Sequence, residues 1–286
     1  MRGTVQDITS QKEAQMSLEN EVRERTEELR NANVELEEAN HNLIHSNEEL
    51  AQYAYVASHD LQEPLRKISL FSKMLKEQDK NGIHKETIDK IINSSKRMSL
   101  LIKDLLEFSR LLNNDAKFEK IDLNAVLENI KVDFELLIEE KKAKIKVDNL
   151  PVIDAVSLQM NQLFYNLINN ALKFIPKGTN PEIKVTCKKI NFDEVLTYIQ
   201  NALPLTEYYK ISISDNGIGI EEQYLKQIFD VFKRLHGREE YYGSGIGLAI
   251  CRRITGNHNG VITVNSKVGE GTSFHIILPE KQFVLN

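Results

Sequence analysis

The chain has 286 residues, 41% hydrophobic and 28% charged, with 13 Gly and 6 Pro, a balance that excludes disorder throughout and any collagen-like repeat. That length exceeds what one ordinary core needs, so about two domains, or one domain and an elongated element, are expected. A total of 37 Lys and Arg against 42 Asp and Glu gives a net charge of −5, too little positive field to favour nucleic acid, and 2 Cys are too few for a disulfide framework or a zinc site. No run approaches the roughly 18 apolar residues of a membrane span, and Met1 to Asp7 lacks the core of a signal peptide, so a soluble, cytoplasmic chain is expected.

Gly3-Thr4-Val5-Gln6-Asp7-Ile8-Thr9 is a short β-type run, similar to the closing strand of a PAS sensor domain. Residues 1–10 therefore read either as a sensor remnant or as a helix start capped by Thr9 or Ser10. Apolar residues then recur at Val22, Leu29, Leu36, Leu43, Leu50 and Ala57, with Leu18, Ala32, Ala39 and Tyr53 on the companion heptad position. This is a coiled-coil period, assigned to residues 11–46, and Arg25 and Ser46 interrupt it. So narrow a seam has nothing to bury it in one copy, which points to a homodimer, with a solvated helix face as the alternative. His41 and His45 fall on outer heptad positions and read as surface rather than as metal ligands.

The period continues through Ala54, Ala57, Leu61, Leu65, Ile68 and Leu75 to the turn dipeptide Asn81-Gly82. A second amphipathic helix carries Ile88, Ile91, Ile92, Met98, Leu101, Ile102, Leu105, Leu106 and Leu112, and ends at Asn113-Asn114-Asp115. Residues 47–116 thus form an antiparallel hairpin that buries both faces only by pairing with another, giving a dimeric four-helix bundle. Beyond residue 117 the texture changes. Strands are predicted at 118–122, 144–147, 182–189, 208–214, 261–265 and 273–278, and helices at 123–140 and 157–172. The fold class is multidomain α and α+β, the helical part followed by an α/β sandwich over 117–286. Residues 190–207 read as an insertion with a short helix and no chemistry.

Three patterns carry chemistry. In Ser58-His59-Asp60-Leu61-Gln62-Glu63-Pro64, about 100° per residue places His59 nearly opposite the apolar stripe, facing solvent, with Glu63 and Arg66 on the same face. Pro64 inside a helix typically costs about 3 kcal/mol, which suggests a bend that serves something. Next, Asn166, Asn170 and Lys173 lie at i, i+4 and i+7, so two amides and an ammonium share one helix face while Leu163, Leu167 and Ala171 turn inward. Such a stripe suits a divalent ion and phosphates, and read alone it is also an ordinary solvated face. Last come the glycine-rich runs Asp215-Asn216-Gly217-Ile218-Gly219, Gly243-Ser244-Gly245-Ile246-Gly247-Leu248 and Gly269-Glu270-Gly271-Thr272-Ser273-Phe274. Glycines let backbone amides approach phosphate oxygens, and a helix N-terminus after Gly245 adds positive potential, but neither a Walker nor a Rossmann pattern explains three such loops in this order.

Their combination and order resemble a sensor histidine kinase of the two-component type, over about residues 47–284. His59, Asp60 and Pro64 resemble the phosphoacceptor H-box of bacteriophytochrome-like and PAS-linked kinases. The run 166–174 resembles the N-box, Asp215 to Gly219 the first glycine box, Phe229-Asp230-Val231-Phe232 the F-box, and the two later runs the remaining glycine boxes. The resemblance implies a Bergerat (GHKL) sandwich that binds ATP with Mg²⁺. Asp215 would then accept from the adenine amino group with Thr272 nearby through water, and Asn170 would hold Mg²⁺ beside Asn166. Lys173 and Arg234 would neutralise phosphate charge, and the amides of Gly245, Ile246, Gly247 and Leu248 would cradle the phosphates. Residues 220–244, with Tyr241 and Tyr242, would form a lid.

By the same resemblance His59 is the nucleophile, with Asp60 orienting its ring and accepting the proton of the other nitrogen. An imidazole of ordinary pKa, about 6.5, already presents a lone pair at neutral pH. A homodimer passing phosphate to a response regulator in trans is implied, and no receiver-like segment is present within the chain. Glu63 departs from the pattern: Thr or Asn is common four residues after the histidine in this class, so weak phosphatase activity is expected. Rival readings are an ATPase clamp that does not phosphorylate itself and a nucleotide-binding scaffold without transfer.

Overall fold

A computed structural model describes residues 9–79, 81–111, 117–202, 206–233, 235 and 244–282. Within the helices, the side chains of 9–14, 17, 43–45, 47–48, 50–57, 59 and 110 lie outside the description. The chain divides into a unit of residues 1–53 and a unit of residues 54–286. The run 3–8 read as a β-type segment, and the end of the hairpin at 113–115, lie outside the described residues.

Helix α1 spans Thr9–Gln78 and continues through Pro64. In its first unit the heptad residues Leu18, Val22, Leu29 and Leu36 are all exposed in the single chain. In the second unit α1 runs antiparallel to α2, Lys85–Arg110. The turn between them is closed by Asp79, whose carboxylate accepts from the amides of Ile83 at 3.1 Å and His84 at 2.8 Å. Leu65, Ile88, Ile92 and Ile102 are buried. The Ser95 hydroxyl donates to the Leu65 carbonyl at 2.9 Å, and Lys76 meets Asp89 at 2.7 Å. Leu61, Ile68, Phe71, Leu75, Ile91 and Met98 stay exposed, an apolar face that one hairpin does not cover.

The sandwich begins with β1 (Glu119–Asp122), α3 (Leu123–Asp133), α4 (Glu135–Lys141), β2 (Lys144–Val147) and β3 (Val152–Ala155). It continues with α5 (Ser157–Lys173), β4 (Glu182–Ile190), α6 (Phe192–Leu196) and β5 (Tyr208–Asp215), and ends with α7 (Gly247–Asn257), β6 (Val261–Lys267) and β7 (Gly271–Pro279). The main sheet has the order β2-β4-β5-β7-β6, with β2 and β4 parallel and the other neighbours antiparallel, while β1 and β3 form a separate antiparallel pair. Alternation decides which face is dry. Ile211 and Ile213 of β5 and Ile276 of β7 point into a core shared with Leu163, Leu167 and Ala171 of α5 and Ile250 and Ile254 of α7. Each of the Leu and Ile side chains among them contributes about 1.5–3 kcal/mol by leaving water.

Several sequence expectations are corrected here. The helix predicted at 123–140 is two helices, because Phe134 leaves helical geometry, is buried, and stacks on Tyr165 with ring centroids 4.7 Å apart. The strand β3 was not foreseen, being only four residues long beside Pro151. The 190–207 insertion has a packing role: Tyr208 lies three residues from Ile211, hence on the opposite sheet face, and there it joins Ile190, Val195 and Ile277 in a second small core that α6 covers.

His258, at the end of α7, is fully buried and fixes the start of α5. Its Nδ1 lies 2.8 Å from the Ile254 carbonyl, which can only accept, and its Nε2 lies 3.0 Å from the Val156 amide, which can only donate. The ring must therefore be neutral, and burial holds its pKa below the usual 6.5. Its stabilisation is complete above the unfolded-state pKa and is lost as pH falls from that value through the lower folded-state pKa. His275, also depressed by burial, adds a contribution of the same sign. His258→Gln should lower stability at pH 7.5 by about 2 kcal/mol and flatten the loss between pH 7 and 5, measured by urea unfolding.

Candidate functional site

A cavity of about 570 Å³ opens where the ends of β5 and β7 meet α5 and the start of α7. Asp215 stands at the last position of β5, paired with Thr272 of β7. Its Oδ1 accepts from the Gly217 amide at 2.8 Å and the Thr272 amide at 3.2 Å. Burial outweighs those two bonds and pushes the carboxyl up to about 6. Two glycines make this corner possible. A Cβ on Gly217 would sit 2.4 Å from the Phe174 carbonyl and 2.6 Å from Asp215 Oδ1, and Gly219 has φ +74° with its Cβ position 2.1 Å from the Lys267 carbonyl. The loop is stitched down by the Ile218 amide on the Phe174 carbonyl at 3.0 Å and the Gly269 amide on the Ile218 carbonyl at 2.8 Å. Ser266 accepts from the Ile220 amide at 2.8 Å and lies 2.9 Å from the Thr272 hydroxyl, fixing that residue beside Asp215.

Helix α5 forms the opposite wall. Leu163, Leu167 and Ala171 are buried while Asn166, Asn170 and Lys173 line the cavity, as helical arithmetic requires. Asn166 is oriented from both sides: Gln162 Nε2 donates to its Oδ1 and its Nδ2 donates to the Gly247 carbonyl, both at 3.3 Å. Among the described residues the Asn170 carboxamide takes no protein hydrogen bond and faces the cavity. A carboxamide oxygen is a hard ligand that suits Mg²⁺, and no group of three or more His, Cys, Asp or Glu gathers among the described residues. A magnesium ion here would be held jointly by Asn170 and the oxygens of a phosphate ligand, the usual arrangement for that cation.

Gly245, Gly247 and Leu248 line the cavity where α7 begins, so the positive end of that helix is directed to it. Ile246 does not line it: its side chain is buried in the core and its amide lies 3.3 Å from Ser244 Oγ, which accepts from it. Gly217 and Phe232 are also outside the lining, Gly217 acting through Asp215, and Phe232 standing exposed with φ +65°. Arg234, Gly243, Tyr241 and Tyr242 lie outside the described residues, and so does the side chain of His59, whose backbone belongs to α1. Its neighbour Asp60 is exposed. Glu63 is engaged by Arg66 at 3.1 Å and Lys67 at 3.3 Å, which lowers its carboxyl pKa, Arg66 contributing most.

The cavity also contains residues that sequence reasoning missed. Gln162 and Asn169 were findable, since they sit four residues before and three after Asn166 on the same helix face. Lys233 and the α2 residues Leu100, Lys103, Asp104 and Glu107 carry no such local signal. Asp104 is half-buried beside the Ser244 side chain, and burial raises its carboxyl pKa.

Residues 155–282 match the family described as histidine kinase-, DNA gyrase B-, and HSP90-like ATPase, and residues 49–114 match the His Kinase A (phospho-acceptor) domain. The chain is 34% identical over 240 residues to phytochrome-like protein Cph1 of a Synechocystis species and 39% identical over 246 residues to cyanobacterial phytochrome B of a Nostoc species. Each alignment takes in 83% of this chain and 30% of the relative, so the chain spans about 30% of the length of these relatives. Among solved structures, full-length ShkA in complex with AMPPNP has a TM-score of 0.58 at 20% identity, covering 82% of this chain and 47% of that one. Histidine kinase ThkA in complex with response regulator protein TrrA has a TM-score of 0.52 at 24% identity, covering 80% and 61%. At those identities the likeness establishes the fold. No helix among the described residues is long and apolar enough to cross a membrane.

Asp215 has a consequence for the ligand-free protein. With a folded-state pKa of about 6 against an ordinary 3.8, its contribution favours folding at low pH and is lost as pH rises through about 6. Asp215→Asn keeps the Oδ1 acceptor and removes the charge, so it should raise ligand-free stability at pH 7.5 by up to about 2 kcal/mol in urea unfolding, and the gain should vanish near pH 4.

Proposed function

We propose that the chain, whose two matched regions are those of a histidine kinase, is a two-component sensor kinase that phosphorylates itself at His59 from Mg-ATP and passes the phosphoryl group to an aspartate of a response regulator. The observation that carries this reading is the cavity itself, in which Asp215 is pinned by one oxygen, Asn170 stands without a protein partner among the described residues, and Lys173 and the start of α7 gather positive potential. In this reading Asp215 Oδ2 accepts from the adenine amino group, while Asn170 with phosphate oxygens holds Mg²⁺. Lys173, Lys233 and the Gly245 and Gly247 backbone face the phosphates. Residues 1–10, 11–46, 47–116 and 117–286 divide into sensor remnant, signalling coiled coil, phosphoacceptor hairpin and ATP-binding sandwich.

The reaction needs little from the protein beyond positioning. The lone pair of a His59 ring nitrogen forms a bond to the γ-phosphorus, the bond from that phosphorus to the bridging oxygen breaks, and ADP leaves with the electron pair. The proton of the other ring nitrogen is drawn to Asp60, one residue on. Magnesium supplies charge neutralisation on the transferring group. The exposed heptad seam of α1 and the uncovered apolar face of the hairpin support a homodimer in which four helices close one core. Glu63, held by Arg66 and Lys67, is a poor candidate for positioning a water against a receiver phosphate.

Incubation with γ-labelled ATP should give an acid-labile, alkali-stable label. His59→Gln should abolish it while changing nucleotide affinity less than about twofold, and Asp215→Asn should weaken nucleotide binding by at least about tenfold. Label retained in His59→Gln would refute the assignment. Phosphorylated regulator incubated with the protein and ADP should lose phosphate no faster than alone, and rapid loss would overturn the reading of Glu63.

A further inference from the structure

The hairpin helix α2 closes one side of the cavity. Leu105, Phe108 and Leu111 pack on the sandwich core, and Asn257 Nδ2 donates to the Leu111 carbonyl at 3.0 Å, so the C-terminal end of α2 is held against the catalytic domain. This docking carries Lys103, Asp104 and Glu107 into the cavity wall. Asp104 lies beside the Ser244 side chain, and Ser244 immediately precedes Gly245 at the approach to α7. A carboxylate therefore lines the same cavity as a helix N-terminus, Lys173 and Lys233, which favour an anion. Glu107 follows one turn later on the same face, with Lys103 at 3.9 Å partly offsetting it.

We propose that Asp104 gates the cavity by phosphate-chain length: while α2 is docked, adenosine and ADP are accepted more readily than ATP, and the terminal phosphate enters as Asp104 leaves Ser244. This rests on the reading of the cavity as a nucleotide site. The adenine contacts at Asp215 are common to all three ligands, so they do not discriminate. The ligands differ in the negative charge they bring towards Ser244, and in a half-enclosed site two like charges a few ångströms apart repel far more than in water. By linkage, whatever undocks α2 raises ATP affinity, and ATP in turn favours the undocked hairpin by the same factor. The nucleotide thus helps to free the helix pair that carries His59.

The test is calorimetric titration of the full chain with adenosine, ADP and ATP at fixed magnesium, for the unaltered protein, Asp104→Asn and Asp104→Ala. Asn preserves size and an acceptor for Ser244, and Ala removes both. Each variant should bind ATP about tenfold more tightly than the unaltered protein, a change of about 1.4 kcal/mol, with adenosine and ADP altered less than about twofold. Adenosine binding serves as the control for folding. Equal gains for all three ligands, or no gain for ATP in either variant, would overturn the gate while leaving the nucleotide site standing. If the unaltered protein binds none of the three, the assignment of the cavity falls first.

Discussion

Asp215 Oδ1 holds two amides at once, one from the turn that follows its own strand and one from the neighbouring strand, and the rest of the catalytic domain is arranged so that it can. The carboxylate would be more comfortable in water. Its pKa of about 6 records that preference, and the protein opposes it with two directed donors and a glycine at each close approach. What this achieves is a cavity-lining carboxylate with one oxygen held by two backbone amides. Sites that must recognise a hydrogen-bond donor rather than merely accommodate it are built this way, at some expense in stability of the empty fold.

Two buried ionisable groups show opposite uses of the same physics. His258 is neutral, with both ring nitrogens matched to backbone partners that leave its tautomer no choice, and it joins the end of α7 to the start of α5. Phe118, in the segment that enters the sandwich, meets that ring edge-on at 5.2 Å. Burial here strengthens the fold because no charge has to be kept. At Asp215 burial works against the charged form, and that opposition weakens the ligand-free fold. The first residue ties two helices together, whereas the second lines the cavity.

The hairpin and the sandwich share a physical border. Apolar contacts from Leu105, Phe108 and Leu111 hold α2 to the sandwich core, and the same helix turns its charged face into the cavity. One element therefore borders two surfaces: its exposed apolar residues are left uncovered by the single hairpin, and its docked end sits beside the cavity. Movement of the hairpin would consequently be felt at the cavity through specific side chains, Asp104 above all.

Much of this protein was legible in the chain because the relevant physics is local. Helical period placed Asn166, Asn170 and Lys173 on one face with Leu163, Leu167 and Ala171 behind them, and the structure has that arrangement. Glycine spacing marked the loops around Asp215 and Gly245, since backbone approach and positive φ leave few other residues possible. Local pattern failed where side chains from distant segments decide. Phe134 breaks a helix because Tyr165 is there to receive its ring, and Ile246 turns from the cavity because the core and Ser244 claim it. Insertion 190–207 packs because Tyr208 and Ile277 leave a second face to cover. The sequence by itself determined which amides, ammonium groups and glycines share one helix face or one loop, for that belongs to side-chain type and to spacing along one element. Only the tertiary structure decided which of them meet, and that α2 brings carboxylates among them, since contacts between segments far apart in the chain leave no period in either one.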